Sequence, residues 1–193
     1  CLNKVVEIKP DLAEAYIKIG NGQEELRMFD KAIKSYQKAI ELKPDFSEAW
    51  NSLGNIHMDL GERNKAVKFY QNALEINPDY PALHNNLGNA FRELGQLNNA
   101  LKAYLSGLII NPKYIDLLNN IGVVYNELGQ FEDAIKSYEK AIKIKPDFAD
   151  AHNNLGITFN KLKLYDKAIK SYESAININP DFPDPYNNLS IVF

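Results

Sequence analysis

Residues 47–80 read SEAWNSLGNIHMDLGERNKAVKFYQNALEINPDY, and this stretch decides the fold. Trp50, Leu53, Gly54, His57 and Leu60 recur at steps of three and four, the spacing of one helical face. Gly61 then punctuates the chain, and Ala66, Phe69, Tyr70, Ala73, Leu74 and Ile76 mark a second apolar face. Pro78 ends it, because proline biases the residue before it away from helix. The stretch therefore predicts a helix, a tight turn and a second, antiparallel helix.

The same stretch recurs along the whole chain. Pro10, Pro44, Pro78, Pro112, Pro146 and Pro180 are each 34 residues from the next. Gly20, Gly54, Gly88, Gly122 and Gly156 keep the same period, as do Gly61, Gly95 and Gly129. Such a period is the mark of a repeat architecture, whose units bury their apolar faces only by stacking on one another. Five units run 13–46, 47–80, 81–114, 115–148 and 149–182, with residues 1–12 as the end of a preceding unit and 183–193 as the start of a sixth. No insertion breaks the register, so 1–193 reads as a single array cut from a longer protein. Cys1 continues the repeat phase as an interior helix residue, which favours truncation over a lipidated terminus.

Recurrent small and large residues predict how the helices meet. Glycine inside a helix costs about 1 kcal/mol relative to alanine, so its recurrence predicts the close approach of another backbone. Ala32, Ala66, Ala100, Ala134 and Ala168 repeat that role on the second helix, and Tyr36, Tyr70, Tyr104, Tyr138 and Tyr172 fill the space between. Asp45 with Glu48, Asp147 with Asp150, Asp181 with Asp184 and Asp11 with Glu14 read as helix caps. Unit 13–46 departs from the pattern: Gly22 and Gln23 replace bulky residues and Arg27 replaces the turn glycine, so its first helix is expected to be weak or to end early.

Set against this pattern, Trp50, Leu53, Gly54, His57, Ala66, Tyr70 and Pro78 resemble the tetratricopeptide repeat motif W-x2-L-G-x2-Y…A-x3-F…P. Leu118, Ile121, Gly122, Tyr125, Ala134, Tyr138 and Pro146 match it again. The resemblance implies an all-α, right-handed α-solenoid, a superhelix of antiparallel helix pairs whose first helices line a concave groove. It also implies a non-catalytic scaffold that binds peptides or segments of other proteins there, with no cofactor.

Composition narrows the partner. The chain carries 22 basic and 25 acidic residues, a formal net charge of −3, so it lacks the cationic face that nucleic acid or an anionic membrane requires. One cysteine excludes a disulfide framework within the chain. No apolar run approaches the roughly 20 residues of a membrane span. The chain thus reads as a soluble, cytoplasmic protein. His84 and His152 stand where another unit has Trp50, and His57 where others have Tyr125 and Phe159, so all three read as packing residues. No motif for a metal site, phosphate loop or nucleophile is present, and the chain does not read as an enzyme.

The candidate binding residues are asparagines. Asn51, Asn85, Asn119, Asn153 and Asn187 occupy position 5 of their units, and Asn86, Asn120, Asn154 and Asn188 position 6. Asn55 and Asn89, with Asn21, occupy position 9, and Asn126 and Asn160 position 12. Even scattering would place roughly three of the 23 asparagines in those positions; fourteen are there. A primary amide holds donors and an acceptor in one plane, so a continuous row of them could pair with an extended peptide backbone. The alternative is that the amides bond neighbouring helices or water. Position 6 resembles the superhelical repeat region of O-linked N-acetylglucosamine transferases, which implies a second reading: a substrate-docking arm of a larger glycosyltransferase-type enzyme. The signature of domains that clamp a C-terminal carboxylate is absent, since only Asn21 of its residues fits. Acids at Glu25, Asp59, Glu93 and Glu127, broken by Lys161, border the row. Nine lysines of the second helices, Lys31, Lys34, Lys38, Lys65, Lys68, Lys136, Lys140, Lys167 and Lys170, are expected on the outer face. Apolar residues at the two ends (Leu2, Val5 and Val6; Leu189, Val192 and Phe193) suggest head-to-tail self-association.

Overall fold

The computed structural model describes residues 13–190, which form eleven α-helices and no strand. In chain order these are α1 (Ala13–Glu25), α2 (Phe29–Leu42), α3 (Ser47–Asp59), α4 (Arg63–Ile76), α5 (Pro81–Glu93), α6 (Leu97–Ile110), α7 (Ile115–Glu127), α8 (Phe131–Ile144), α9 (Ala149–Lys161), α10 (Tyr165–Ile178) and α11 (Pro183–Ser190). First helices of 13 residues alternate with second helices of 14, up to the eight-residue α11. The fold is an all-α helical-repeat solenoid. Cys1, Leu2, Val5, Val6, Asp11, Val192 and Phe193 lie outside the described residues, and with them most of the self-association expectation.

The chain divides at Ala103/Tyr104 into two compact units. In the first, α1 packs on α2, α3 on both α2 and α4, and α5 on α4, while α1, α3 and α5 also touch in succession. Its core joins Ala32, Tyr36, Leu53 and Ile56, followed by Ala66, Tyr70, Ala73 and Leu83. In the second, α7 packs on α8, α8 on α9, α9 on α10 and α10 on α11. Ala134, Tyr138, Leu155, Ala168 and Tyr172 form its main core, with Leu118, Ala141 and Ala151 beside it. Leu189 is half-buried against that core.

The recurrent glycines answer a different demand from the one the sequence suggests. What approaches Gly20, Gly54, Gly122 and Gly156 is not a backbone but the ring of Tyr36, Tyr70, Tyr138 or Tyr172, and a Cβ there would lie 2.4–2.5 Å from ring Cε1. Each ring lies flush on its glycine and is at most 2% exposed. Burying a large side chain in this way stabilises by roughly 1.5–3 kcal/mol.

The tight turns are alike in every unit. Gly61, Gly95 and Gly129 adopt φ of 74°, 72° and 75°, and at the same position Arg27 and Lys163 adopt 55° and 60°. Glu62 N–H donates to the His57 carbonyl at 2.8 Å and Gly61 N–H to that of Met58 at 2.9 Å, the paired bonds of a Schellman end. Met28 N–H to Gln23 and Arg27 N–H to Glu24, both 2.8 Å, reproduce it without glycine. The first helix of unit 13–46 therefore does not end early, as the sequence had allowed: α1 has the full 13 residues. Ser35 Oγ donates to Gln23 Oε1 at 2.7 Å, and the Tyr36 hydroxyl to Glu24 Oε2 at 2.6 Å, which ties down its last turn.

The proposed caps also differ. Phe46 and Phe148 are the N-cap residues of α3 and α9, with no side-chain cap bond. Asp45 instead lies in the turn before the helix, where Phe46 N–H donates to the Lys43 carbonyl at 3.1 Å. Proline and aspartate at the two central positions suit such a turn, so the repeated Asp follows turn chemistry and not helix capping. Rings reinforce it: Trp50 Nε1–H donates to the Pro44 carbonyl at 3.0 Å, and His84 and His152 Nε2 stand 2.9 and 3.0 Å from those of Pro78 and Pro146. His57 is buried and stacks on Phe69 with centroids 5.0 Å apart. His57 thus packs as its position predicts but also pairs its Nδ1 with Glu62 Oε2 at 2.5 Å, and His84 and His152 hold the turn by hydrogen bonds. The nine outer-face lysines are all exposed.

Candidate functional site

Within each compact unit, position 5 of a first helix faces the next first helix and position 6 faces the preceding one. Because the repeat is 34 residues, a residue at position 6 lies across from position 5 of the preceding unit, 35 residues earlier. Asn86 Nδ2 donates to Asn51 Oδ1 at 3.0 Å in the first compact unit. In the second, Asn154 Nδ2 donates to Asn119 Oδ1 and Asn188 Nδ2 to Asn153 Oδ1, each at 3.0 Å. These rungs realise the inter-helix alternative for six of the candidate asparagines. Unit 13–46 has Ile17 and Ser52 follows Asn51, so no such rung can form between α1 and α3.

Position 9 has a second use. Tyr70 OH donates to Asn55 Oδ1 at 2.8 Å, and Tyr36 OH, whose one proton goes to Glu24, stands at the same distance from the Asn21 amide oxygen. Asn86 Nδ2 also reaches Asn55 Oδ1 at 3.4 Å, which joins this contact to the rung. Burial, foremost, pushes the Tyr70 hydroxyl pKa well above its ordinary value; at Tyr36 burial and the hydrogen bond to Glu24 act together. Tyr172 is pushed up to about 12 by burial alone. Its unit has Ile157 at position 9 and offers no amide to the hydroxyl.

Asn126 is buried and bonded at both ends of its amide. Its Nδ2 donates to Thr158 Oγ1, which donates on to the Asn154 carbonyl at 2.9 Å. Lys161 Nζ donates to Asn126 Oδ1 and lies 5.9 Å from the Phe131 ring centroid. Sequence reasoning missed Thr158 and read Lys161 only as a break in an acidic row. The available signal was that break, one unit and one residue beyond Asn126. Asn85, Asn89 and Asn120 are likewise engaged within the chain. Asn160 is half-buried, and Asn187 is exposed.

What the rungs leave open defines the chemistry of the face. An asparagine has two N–H donors and an oxygen with two lone pairs. Each rung uses one donor of the later residue and one lone pair of the earlier one. Asn51 and Asn119 are half-buried, and their amide nitrogens have no partner among the described residues. Asn153 is only 5% exposed and has less to offer. Bordering this face, Glu25, Asp59, Glu93 and Glu127 are exposed. Among the described residues no cluster of three or more His, Cys, Asp or Glu could hold a metal ion, and no helix is long and apolar enough to cross a membrane.

Antiparallel helix pairs of 34 residues, a glycine seated on a tyrosine ring and a proline-ended second helix define a class of helical-repeat scaffold. The chain belongs to the tetratricopeptide repeat family: the family's TPR repeat profile matches residues 28–61, 54–91, 88–129 and 124–163, and its tetratricopeptide repeat profile matches 149–182. That membership places it among protein–protein interaction scaffolds. Among solved structures it is similar to MamA, at 28% identity and a TM-score of 0.77, covering 87% of this chain and 92% of MamA. It also shares the fold of YrrB, described as a TPR protein with an unusual peptide-binding site, at 23% identity and a TM-score of 0.76, covering 97% of this chain and 96% of YrrB. TTC0263, a thermophilic TPR protein of Thermus thermophilus, shares that fold at 22% identity and a TM-score of 0.72, covering 93% of this chain and 98% of the other. No curated protein matches the chain by sequence.

Proposed function

We propose that the chain is a non-catalytic scaffold that binds an extended segment of another protein along the first-helix face, through the amide groups its rungs leave open. The observation that carries this reading is the state of Asn51 and Asn119. Each is oriented by a hydrogen bond to its oxygen and retains both N–H donors. Holding a polar group in place before the ligand arrives reduces the ordering cost of binding. A peptide carbonyl is the natural acceptor, and contacts to backbone groups are indifferent to the ligand's side chains. Peptide binding is also recorded for YrrB. The chain's net charge of −3 disfavours a nucleic-acid partner. This reading treats residues 1–193 as one array of five full units. A docking arm of a larger glycosyltransferase-type enzyme would use the same face, and the complete reading frame distinguishes it.

Alanine is a poor test here, because Asn154→Ala would strand the Asn119 oxygen and cost about 1 kcal/mol of stability. Aspartate separates the two roles. Asn51→Asp with Asn119→Asp keeps the oxygens that accept the rungs and removes both N–H pairs. A neutral peptide selected from an unbiased library on the purified chain should bind the double variant about tenfold less tightly, with the thermal midpoint nearly unchanged. Equal affinity for the two proteins contradicts the proposal.

A further inference from the structure

One second helix departs from its four counterparts. At two outer positions one turn apart the others carry Gln37 and Glu41, Gln71 and Glu75, Glu139 and Lys143, or Glu173 and Asn177; α6 carries Leu105 and Ile109. Leu105 is 39% exposed and Ile109 81%. Isolated exposed apolar residues are ordinary. This pair is not isolated, since Leu105 forms one edge of a cleft of about 250 Å³ floored by Leu108, Leu118, Ile121 and Tyr125. The opposite wall is α8, with Lys136 and Lys140 along its edge.

The charge of the cleft is one-sided. Its single acid, Asp133, is paired with Lys136 at 3.2 Å. Lys140 has no acidic partner among the described residues, and α6 contains neither Asp nor Glu. An apolar floor with an uncompensated cation at its edge suits a ligand that is apolar on one side and anionic beside it. The volume accommodates one or two large side chains, the usual size of an anchor pocket.

We propose that Leu105, Ile109 and the adjoining cleft dock an acidic amphipathic helix of another protein, with its apolar side chains in the cleft and its carboxylates towards Lys140. Two helices as walls and a third as floor form a groove that takes such a helix lengthwise. Its walls are second helices, and it shares no residue with the amide rungs.

The probe is a labelled peptide of about 14 residues, roughly four helical turns, with leucines at helical spacing and glutamates between them. A charge-reversed version carrying lysines and a scrambled version serve as controls. The acidic peptide should bind the full chain, weaken with added salt, and bind at least about tenfold tighter than either control. Leu105→Gln with Ile109→Glu should lower that affinity by about tenfold or more. Both changes install residue types that other units carry, so the helical signal and its melting should be preserved. Lys140→Glu, on the other wall, should weaken the acidic peptide and strengthen the lysine version. Equal binding of all three peptides, or affinity unaffected by the variants, overturns the proposal. So does a concentration-dependent dimer that the Leu105/Ile109 variant abolishes, because a second copy of the chain would then be the occupant.

Discussion

Tyr138 and Gly122 show how a single contact reverses an ordinary expectation. In an open helix, replacing glycine by alanine stabilises by up to about 1 kcal/mol. At Gly22, where an added Cβ meets nothing within 4 Å, Gly22→Ala should do so. At Gly122 the new Cβ would lie 2.5 Å from the Tyr138 ring, and Gly122→Ala should destabilise by about 1–3 kcal/mol. Chemical denaturation of the two variants checks both signs. The same buried rings govern alkaline behaviour. The folded pKa of Tyr172 is raised to about 12 against an ordinary 10, so its neutral form is favoured in the folded state. Its contribution is fully present below pH 10 and is lost as pH rises towards 12. Thermal melting across that window should show a falling midpoint, with the tyrosinate absorbance of the buried rings appearing together with unfolding. The glycine spacing was legible in the sequence; that a ring and not a backbone fills the gap was not, because both leave the same small residue behind.

At the scale of the element, the turns are where sequence pattern and structure part. The pattern predicts that Arg27 shortens the first helix, yet it adopts the left-handed geometry of the turn glycines, as Lys163 does. The Schellman hydrogen bonds, and the contacts of Gln23 and Glu24, outweigh the local strain. That strain remains in the folded state. Arg27→Gly combined with Lys163→Gly should therefore raise stability by about 1 kcal/mol or more, measured as a shift in denaturant midpoint at constant slope. An unchanged or lower midpoint would show that the two side chains stabilise their turns in some other way. The caps differ for a related reason. An Asp three residues before an acid fits a capping box, but here it stands one residue before the N-cap, inside a proline turn. Spacing alone does not distinguish the two.

At the scale of the whole molecule, the period of 34 carried most of what could be read: helix pairs, their order and the side on which the asparagines fall. Their bonding was harder to read. A rung joins residues 35 apart, one more than the repeat, and that offset is set by how neighbouring first helices pack. Periodicity gives the face and not the register across it. Asn55 and Asn126 were legible as members of that face, whereas their bonds to Tyr70 and Thr158 depend on three-dimensional placement. The asparagines cross-link first helices, and at Asn51 and Asn119 they leave oriented N–H groups open, which are the groups the proposed peptide would take. The most direct measurement is a titration of the wild-type chain with a selected extended peptide, read on the side-chain amide resonances by NMR. The Asn51 and Asn119 NH₂ signals should shift together with peptide concentration, while the Asn126 signal stays in place. Saturating peptide that leaves the Asn51 and Asn119 signals unmoved would contradict the account.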